Sequence, residues 1–264
     1  MAQGMKIAAW NVNSIRARLP NVLDWLSEAA PDVVLLQEIK ATEDNFPRLE
    51  IEDAGYICAI NGQKTYNGVA ILSKYPLRDV KRGLPGGDGD DHARWIEAWV
   101  DAKGAGIRVA SLYLPNGNPI GTEKFAYKLG WMDRLAGYAR ELLAAEEPLV
   151  LGGDWNVIPA DGDCHDPAAW AGDALAQPDS RRRFRALVNG GFTEAWRALH
   201  DEQHIYTFWD YQAGAYQKDH GIRIDHLLLS PQAADRLVKC EIDRGPRAQP
   251  KASDHTPVWC ELRD

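Results

Sequence analysis

The segment PLVLGGDWNVIP (148–159) decides how this chain is read. Pro148–Leu151 has the apolar composition of a strand, Gly152-Gly153 allows a turn or a close backbone approach, and Asp154 and Asn156 follow. Side chains two apart in an extended segment point the same way, so Asp154 and Asn156 reach one point in space. The segment reads as a strand that delivers polar groups at its C-terminal end.

The same pattern recurs on both sides of it. In Met5–Asn13, Ile7 and Ala9 share a face that Asn11 continues. In Asp32–Ile39, Val34 and Leu36 lead to Glu38, and in Ile107–Asn116, Val109 and Ser111 lead to Tyr113. Asp225 lies inside an apolar strand between Ile224 and Leu227, and Asp254-His255 stands just before Val258–Leu262. A carboxylate in an apolar strand is costly unless paired, so Asp225 calls for a histidine, an arginine or a metal.

Strands are expected at Lys6–Trp10, Asp32–Leu36, Tyr56–Ile60, Gly68–Leu72, Trp95–Val100, Ile107–Leu112, Pro148–Leu151, Arg223–Leu228 and Val258–Leu262. Apolar spacing predicts helices over Asn21–Ala30, Glu123–Ala145 and Ser180–Val188. Many short strands with few helices suggest two packed sheets with helices outside. Gly83–Asp91 and Pro159–Gln177 read as loops, and no composition break divides residues 1–264, so one domain is expected.

The 264 residues are 45% hydrophobic and 26% charged, which excludes disordered and fibrous classes. No apolar run approaches the ~20 residues that span a bilayer. The start, MAQGMKIAAWN, has no signal-peptide pattern, and residues 1–4 read as a scar or an alternative start ahead of Met5. Four scattered cysteines form no CxxC pair, which predicts neither a zinc site nor a disulfide framework and points to the cytoplasm. A net charge of −8 argues against coating of nucleic acid by charge alone, and leaves room for a basic patch on one face.

Singly, each polar residue has a bland reading: Glu38 as a solvated loop residue, Asn11 as a turn residue, Tyr113 as a half-buried tyrosine. Their ordered combination does not. Carboxylates and carboxamides without thiols favour Mg²⁺ or Mn²⁺ over zinc. Glu38 is the main ligand candidate, with Asn11, Asp254, Asp154 and Asn156 as companions. His255 and Tyr113 suit donation to phosphate oxygens, Asp225 suits holding the histidine protonated, and Asp154 suits taking a proton from water that Asn156 positions. The implied chemistry is metal-dependent phosphoester hydrolysis.

Six ordered segments, WNVNSIRARL (10–19), LLQEIK (35–40), LYLPNGNP (112–119), GGDWNVIP (152–159), RIDHLLLS (223–230) and SDHTPVW (253–259), resemble those of the exonuclease III-type AP endonucleases, within the endonuclease/exonuclease/phosphatase superfamily. GQKTYNGVAILSKYPL (62–77) and YTFWDY (206–211) extend the resemblance over nearly the whole chain. It implies a four-layer α/β/β/α sandwich of two mixed sheets with outer helices. It implies Mg²⁺-dependent cleavage 5′ to abasic sites in double-stranded DNA, with 3′→5′ exonuclease, 3′-phosphatase and 3′-diesterase activities, one or two ions, and a monomer.

By the same resemblance Glu38 is the metal glutamate, Asn11 its neighbour, Tyr113 a phosphate contact, Asp154 the base or proton donor with Asn156 beside it, and Asp225 the partner of His255. Asp254 then lies near the metal. Phe208 and Trp209 fall where the family lines a pocket for the flipped abasic sugar. Arg94, Lys124 and Arg223 are expected to contact substrate, with Arg16, Arg18, Lys64 and Lys128 as further DNA candidates. The run Arg181-Arg182-Arg183-Phe184-Arg185 reads as a solvated helix face as readily as a DNA stripe. Asn13 stands where some members carry an aspartate, and 159–177 matches no family pattern. The alternatives are a phosphoinositide- or sphingomyelin-type phosphoesterase and a non-catalytic DNA-binding scaffold.

Overall fold

The computed structural model describes residues 4–102 and 106–263. Two six-stranded sheets pack face to face. The first runs β11 (Leu237–Ile242), β12 (Val258–Leu262), β1 (Met5–Asn11), β2 (Val33–Gln37), β4 (Val69–Ser73), β3 (Ile57–Asn61). The second runs β5 (Leu77–Arg82), β6 (Trp95–Val100), β7 (Ile107–Tyr113), β8 (Leu149–Asp154), β10 (Asp225–Leu229), β9 (Thr193–Glu194). The helices are α1 (Leu19–Ala29), α2 (Arg48–Asp53), α3 (Glu123–Ala144), α4 (Pro167–Trp170), α5 (Pro178–Asn189), α6 (Ala195–Leu199) and α7 (Pro231–Ala234).

The central strands are apolar on both faces because both faces are covered. Ile7 and Ala9 of β1 and Val33 and Leu35 of β2 meet Val150, Leu227 and Leu229 between the sheets. Ala8, Trp10, Val34 and Leu36 face the other way, against Val22, Trp25 and Leu26 of α1. On the far side, Leu149, Leu151 and Leu228 meet Trp131, Met132 and Leu135 of α3 and Phe184 and Leu187 of α5. This is the expected four-layer α/β/β/α order.

Gly152 shows why the double glycine is needed. A Cβ there would lie 2.6 Å from Leu35 of the opposite sheet, and one at Gly153 would lie 2.0 Å from the Leu112 carbonyl. The strands β5, β9 and β11 escape the sequence pattern. The first and last carry charged, half-solvated side chains at or near sheet edges, and β9 has only two residues.

The loop 159–177 contains α4, capped by Asp166, whose carboxylate accepts the N–H groups of Ala168 and Ala169. The reading of residues 1–4 as a scar falls mainly outside the described residues. Gly4 itself lies against the Leu262 carbonyl of β12. All four cysteines are buried and free. Among the described residues no helix is long and apolar enough to cross a membrane.

Candidate active site

Sheet topology gathers the polar residues at one edge. Strands β1 and β2 are parallel, so Asn11 ends beside Gln37 and Glu38 follows at once. Strands β7 and β8 are parallel and end with Tyr113 opposite Asp154. Strand β10 runs antiparallel to β8 and starts with Asp225 opposite Asp154. Strand β12 runs antiparallel to β1, which brings its preceding residues, Asp254 and His255, to the same edge. Parallel strands thus contribute their last residues and antiparallel strands their first.

Hydrogen bonds join the two sheets there. The Asn11 carboxamide nitrogen donates to Glu38 and to Asp154, each at 2.9 Å. Asp154 also accepts the Asn156 backbone N–H at 2.9 Å. His255 Nδ1 lies 2.9 Å from an Asp225 oxygen, and its Nε2 lies 3.7 Å from Asp154. The Thr207 hydroxyl accepts the Asp225 backbone N–H at 3.2 Å, which fixes the start of β10. Candidate ligand atoms of Glu38, Asp154 and His255 all lie within 4.8 Å of one another.

The environment sorts these groups into roles. Burial disfavours ionised Glu38, but Lys40, 2.9 Å away, and the Asn11 amide outweigh it and hold the carboxyl below its ordinary value. Burial raises Asp154 to about 7, with His255 opposing and the Asp225 charge adding to the rise. Burial alone would discharge His255, but Asp225 and Asp154 prevail and lift it to about 10. Burial, then the charges of Glu38 and Asp154, push the Tyr113 phenol well above its usual range. At neutral pH the site therefore holds an imidazolium and a phenol as donors, an ionised Glu38, and an Asp154 close to its midpoint.

The cluster opens into a pocket of about 270 Å³ whose other side is apolar: Trp170, Leu175, Phe208, Ile222 and Ile224. Phe208 lies edge-on to the His255 ring at 4.9 Å. Of the two aromatics expected there, Phe208 lines the pocket and Trp209 does not. Trp209 is fully buried behind it, packed on Tyr206 and Tyr216, with its indole N–H on Asp219. Trp170, from the segment without a pattern, takes that place.

Two more expectations are corrected. Arg223 is no substrate contact: it is 1% exposed, bonded to Asp163 at 2.9 Å and to Glu194 at 3.0 Å. Lys128 is fully buried and its ammonium holds the carbonyls of Asn116 and Asn156, clamping the loop after β7 to the loop after β8. Lys124, also expected to contact substrate, is exposed on the first turn of α3. Arg94 lies beside Tyr113: its guanidinium covers the Tyr113 ring at 4.9 Å and donates to the Tyr113 carbonyl. Arg181, Arg182 and Arg183 are tied to Asp161, Asp179 and Asp133, the pattern of a solvated helix face.

Asn11 turns its nitrogen toward the carboxylates while its oxygen accepts the Asn13 N–H, so it spaces the acids apart. The Asn156 side chain spans Leu114 and Asn116, which orients the loop that positions Asp154. Asn13 donates to Asp254 at 3.1 Å and accepts from Lys40. Sequence reasoning missed Lys40, Trp170, Leu175, Ile222 and Ile224. The spacing of Ile222 and Ile224 carried a usable signal, since two residues apart share a face.

A family model described as the Endonuclease/Exonuclease/phosphatase family matches residues 8–255. The chain is 32% identical to the exodeoxyribonuclease III of Haemophilus influenzae over 98% of its own length and all of that protein's. It is similar to the solved AP endonuclease from Archaeoglobus fulgidus (TM-score 0.92, 37% identity, covering 98% of this chain and 99% of that one). It is equally similar to a Neisseria 3′ phosphatase bound to a product DNA hairpin (TM-score 0.93, 39% identity, covering 98% and 100%).

Proposed function

The chain belongs to the endonuclease/exonuclease/phosphatase family, and we propose that within it the protein is a Mg²⁺-dependent DNA repair phosphodiesterase. It nicks double-stranded DNA 5′ to abasic sites and processes 3′ ends as a 3′→5′ exonuclease, 3′-phosphatase and 3′-diesterase. It works as a monomeric, single catalytic domain in the cytoplasm. The names of its relatives support the substrate class. The observation that carries the reading is one pocket with an acid–imidazole cluster on one side and a small apolar wall on the other.

The donor chemistry fits a hard cation: carboxylates without a thiolate, one of them held ionised. Glu38 would hold Mg²⁺, or Mn²⁺ in its place, with Asp154 and Asp254 bordering the ion. When bound, the ion would offset the charge of the scissile phosphate and of the departing oxygen.

The protein's own groups supply the rest. His255, kept cationic by Asp225, donates Nε2–H to a non-bridging oxygen, and Tyr113 donates its phenol to another. Asp154 takes the proton of the attacking water, oriented by the Asn156 N–H and the Asn11 amide. The water oxygen bonds to phosphorus as the P–O3′ bond breaks, and O3′ departs as an alkoxide that takes a proton from solvent to become the 3′-hydroxyl. The apolar wall receives a sugar that has lost its base. Such a nucleotide has little stacking to lose on flipping, which selects the lesion.

The test is a gel assay of abasic, nicked and 3′-phosphate duplexes under a titration of Mg²⁺ and Mn²⁺. Metal-dependent nicking at a single tetrahydrofuran site is expected. Absence of cleavage at every metal level sinks the reading, and faster turnover of an inositol or sphingomyelin phosphate would favour the alternative substrate class.

A further inference from the structure

One cleft beside the site departs from the charge balance of this acidic chain. Arg18, Arg247 and Lys251 line about 400 Å³ of space around Tyr211. None of the three forms an ion pair with a carboxylate among the described residues. Arg18 donates to the Tyr211 hydroxyl at 3.0 Å. Arg247 stacks over the Tyr211 ring at 5.3 Å and donates to the Trp209 carbonyl at 3.1 Å. The Nε–H of each guanidinium is buried without an acceptor. Lys251 is exposed and forms no ion pair or side-chain hydrogen bond among the described residues.

Three cations without a carboxylate partner around one open cleft leave positive charge that an anion's oxygens would offset. The cleft is also wired to the site: the Tyr211 hydroxyl lies 3.3 Å from Asn13 Nδ2, which donates to Asp254 at 3.1 Å. An anion held there is positioned relative to the scissile phosphate through one hydrogen-bonded chain. Arg18 was a DNA candidate from the sequence, but Arg247 and Lys251 were not.

We propose that the Arg18–Arg247–Lys251 cleft is an anion subsite that holds one backbone phosphate of the duplex, separate from the phosphate that is cut. This rests on the reading of DNA as substrate and adds where the flanking strand is gripped. A backbone phosphate carries no sequence information, so the grip suits lesions in any context.

The experiment measures binding of a duplex with one tetrahydrofuran site in EDTA, as each phosphate around the site is replaced singly by a neutral methylphosphonate. Wild type should lose about tenfold in affinity at one flanking phosphate, the size of a lost charge-assisted contact. Lys251→Gln and Arg247→Gln should each weaken binding of the unmodified duplex several-fold and become insensitive to methylphosphonate at that position. Each should also lower the slope of log Kd against log salt by about 1. Arg247 also holds a backbone carbonyl, so Lys251→Gln, which breaks no hydrogen bond or ion pair among the described residues, is the cleaner arm. Unchanged affinity of Lys251→Gln, or a wild-type methylphosphonate profile in both variants, overturns the subsite. The readout is binding, so a failure to nick overturns the phosphodiesterase reading while leaving this result to be judged separately.

Discussion

The two sides of the pocket are built by different means. The polar side comes from strand ends: Asn11, Tyr113, Asp154 and Asp225 occupy terminal positions of β1, β7, β8 and β10, and Glu38 follows β2 directly. The apolar side comes from irregular chain: Trp170 ends α4, Leu175 lies in the loop after it, and Phe208, Ile222 and Ile224 precede β10. Sheet register fixes the first. The second depends on a buried ion network in which Asp163 accepts from Arg223 and Arg197, and Glu194 accepts from Arg223. Under the proposed function the comparison predicts a division of labour: the strand ends would carry rate, and the irregular wall would carry choice of substrate.

Four changes would break or sharpen that division. The largest effect is expected at the polar side. His255→Ala removes the cationic donor and should lower kcat for tetrahydrofuran nicking about 10³-fold, as loss of one such donor does; a loss under tenfold in single-turnover assays would show that the imidazole is incidental.

Next is Arg223→Met. It leaves Glu194 and part of Asp163 buried without their cation, which costs about 3–5 kcal/mol. Urea melts should show the loss, and the added Glu194→Gln should recover part of it. A variant as stable as wild type would mean that the network does not hold the wall.

The pH profile of kcat/KM tests the polar side alone. Asp154 acts ionised, so activity should rise about tenfold per unit up to about 7. His255 acts protonated, so activity should fall again above about 10. Asp154→Asn should remove the lower limb. A flat profile between 5 and 7, as order-of-magnitude bounds around that limb, would remove Asp154 from proton transfer.

The smallest effect belongs to the wall. Trp170→Ala should cost about tenfold in kcat/KM on the abasic duplex, the worth of one side of an apolar pocket, with little change on a 3′-phosphate end. An equal loss on both substrates would erase the distinction between the two sides.

The same contrast explains what the sequence made legible. Period-two alternation fixes which residues share a face, so Asn11, Glu38, Tyr113 and Asp154 could be read off the strands that carry them. Arg223 looked like a surface cation because its two carboxylate partners are 60 and 29 residues away. Lys128 looked like a DNA contact on a helix face, yet its ammonium is spent on two loop carbonyls. Trp209 and Phe208 are neighbours in one motif, but extended chain sends them to opposite sides, and only one meets the pocket. Pairings across such distances are set by tertiary packing, which no local pattern encodes.

Single-turnover nicking of a tetrahydrofuran duplex by Asp154→Asn, with affinity for the same duplex measured alongside, addresses the core of this account. The strand-end cluster predicts cleavage slowed at least ~100-fold, with duplex affinity within a few-fold of wild type. Cleavage at the wild-type rate, or a loss of binding that accounts for the whole defect, would contradict it.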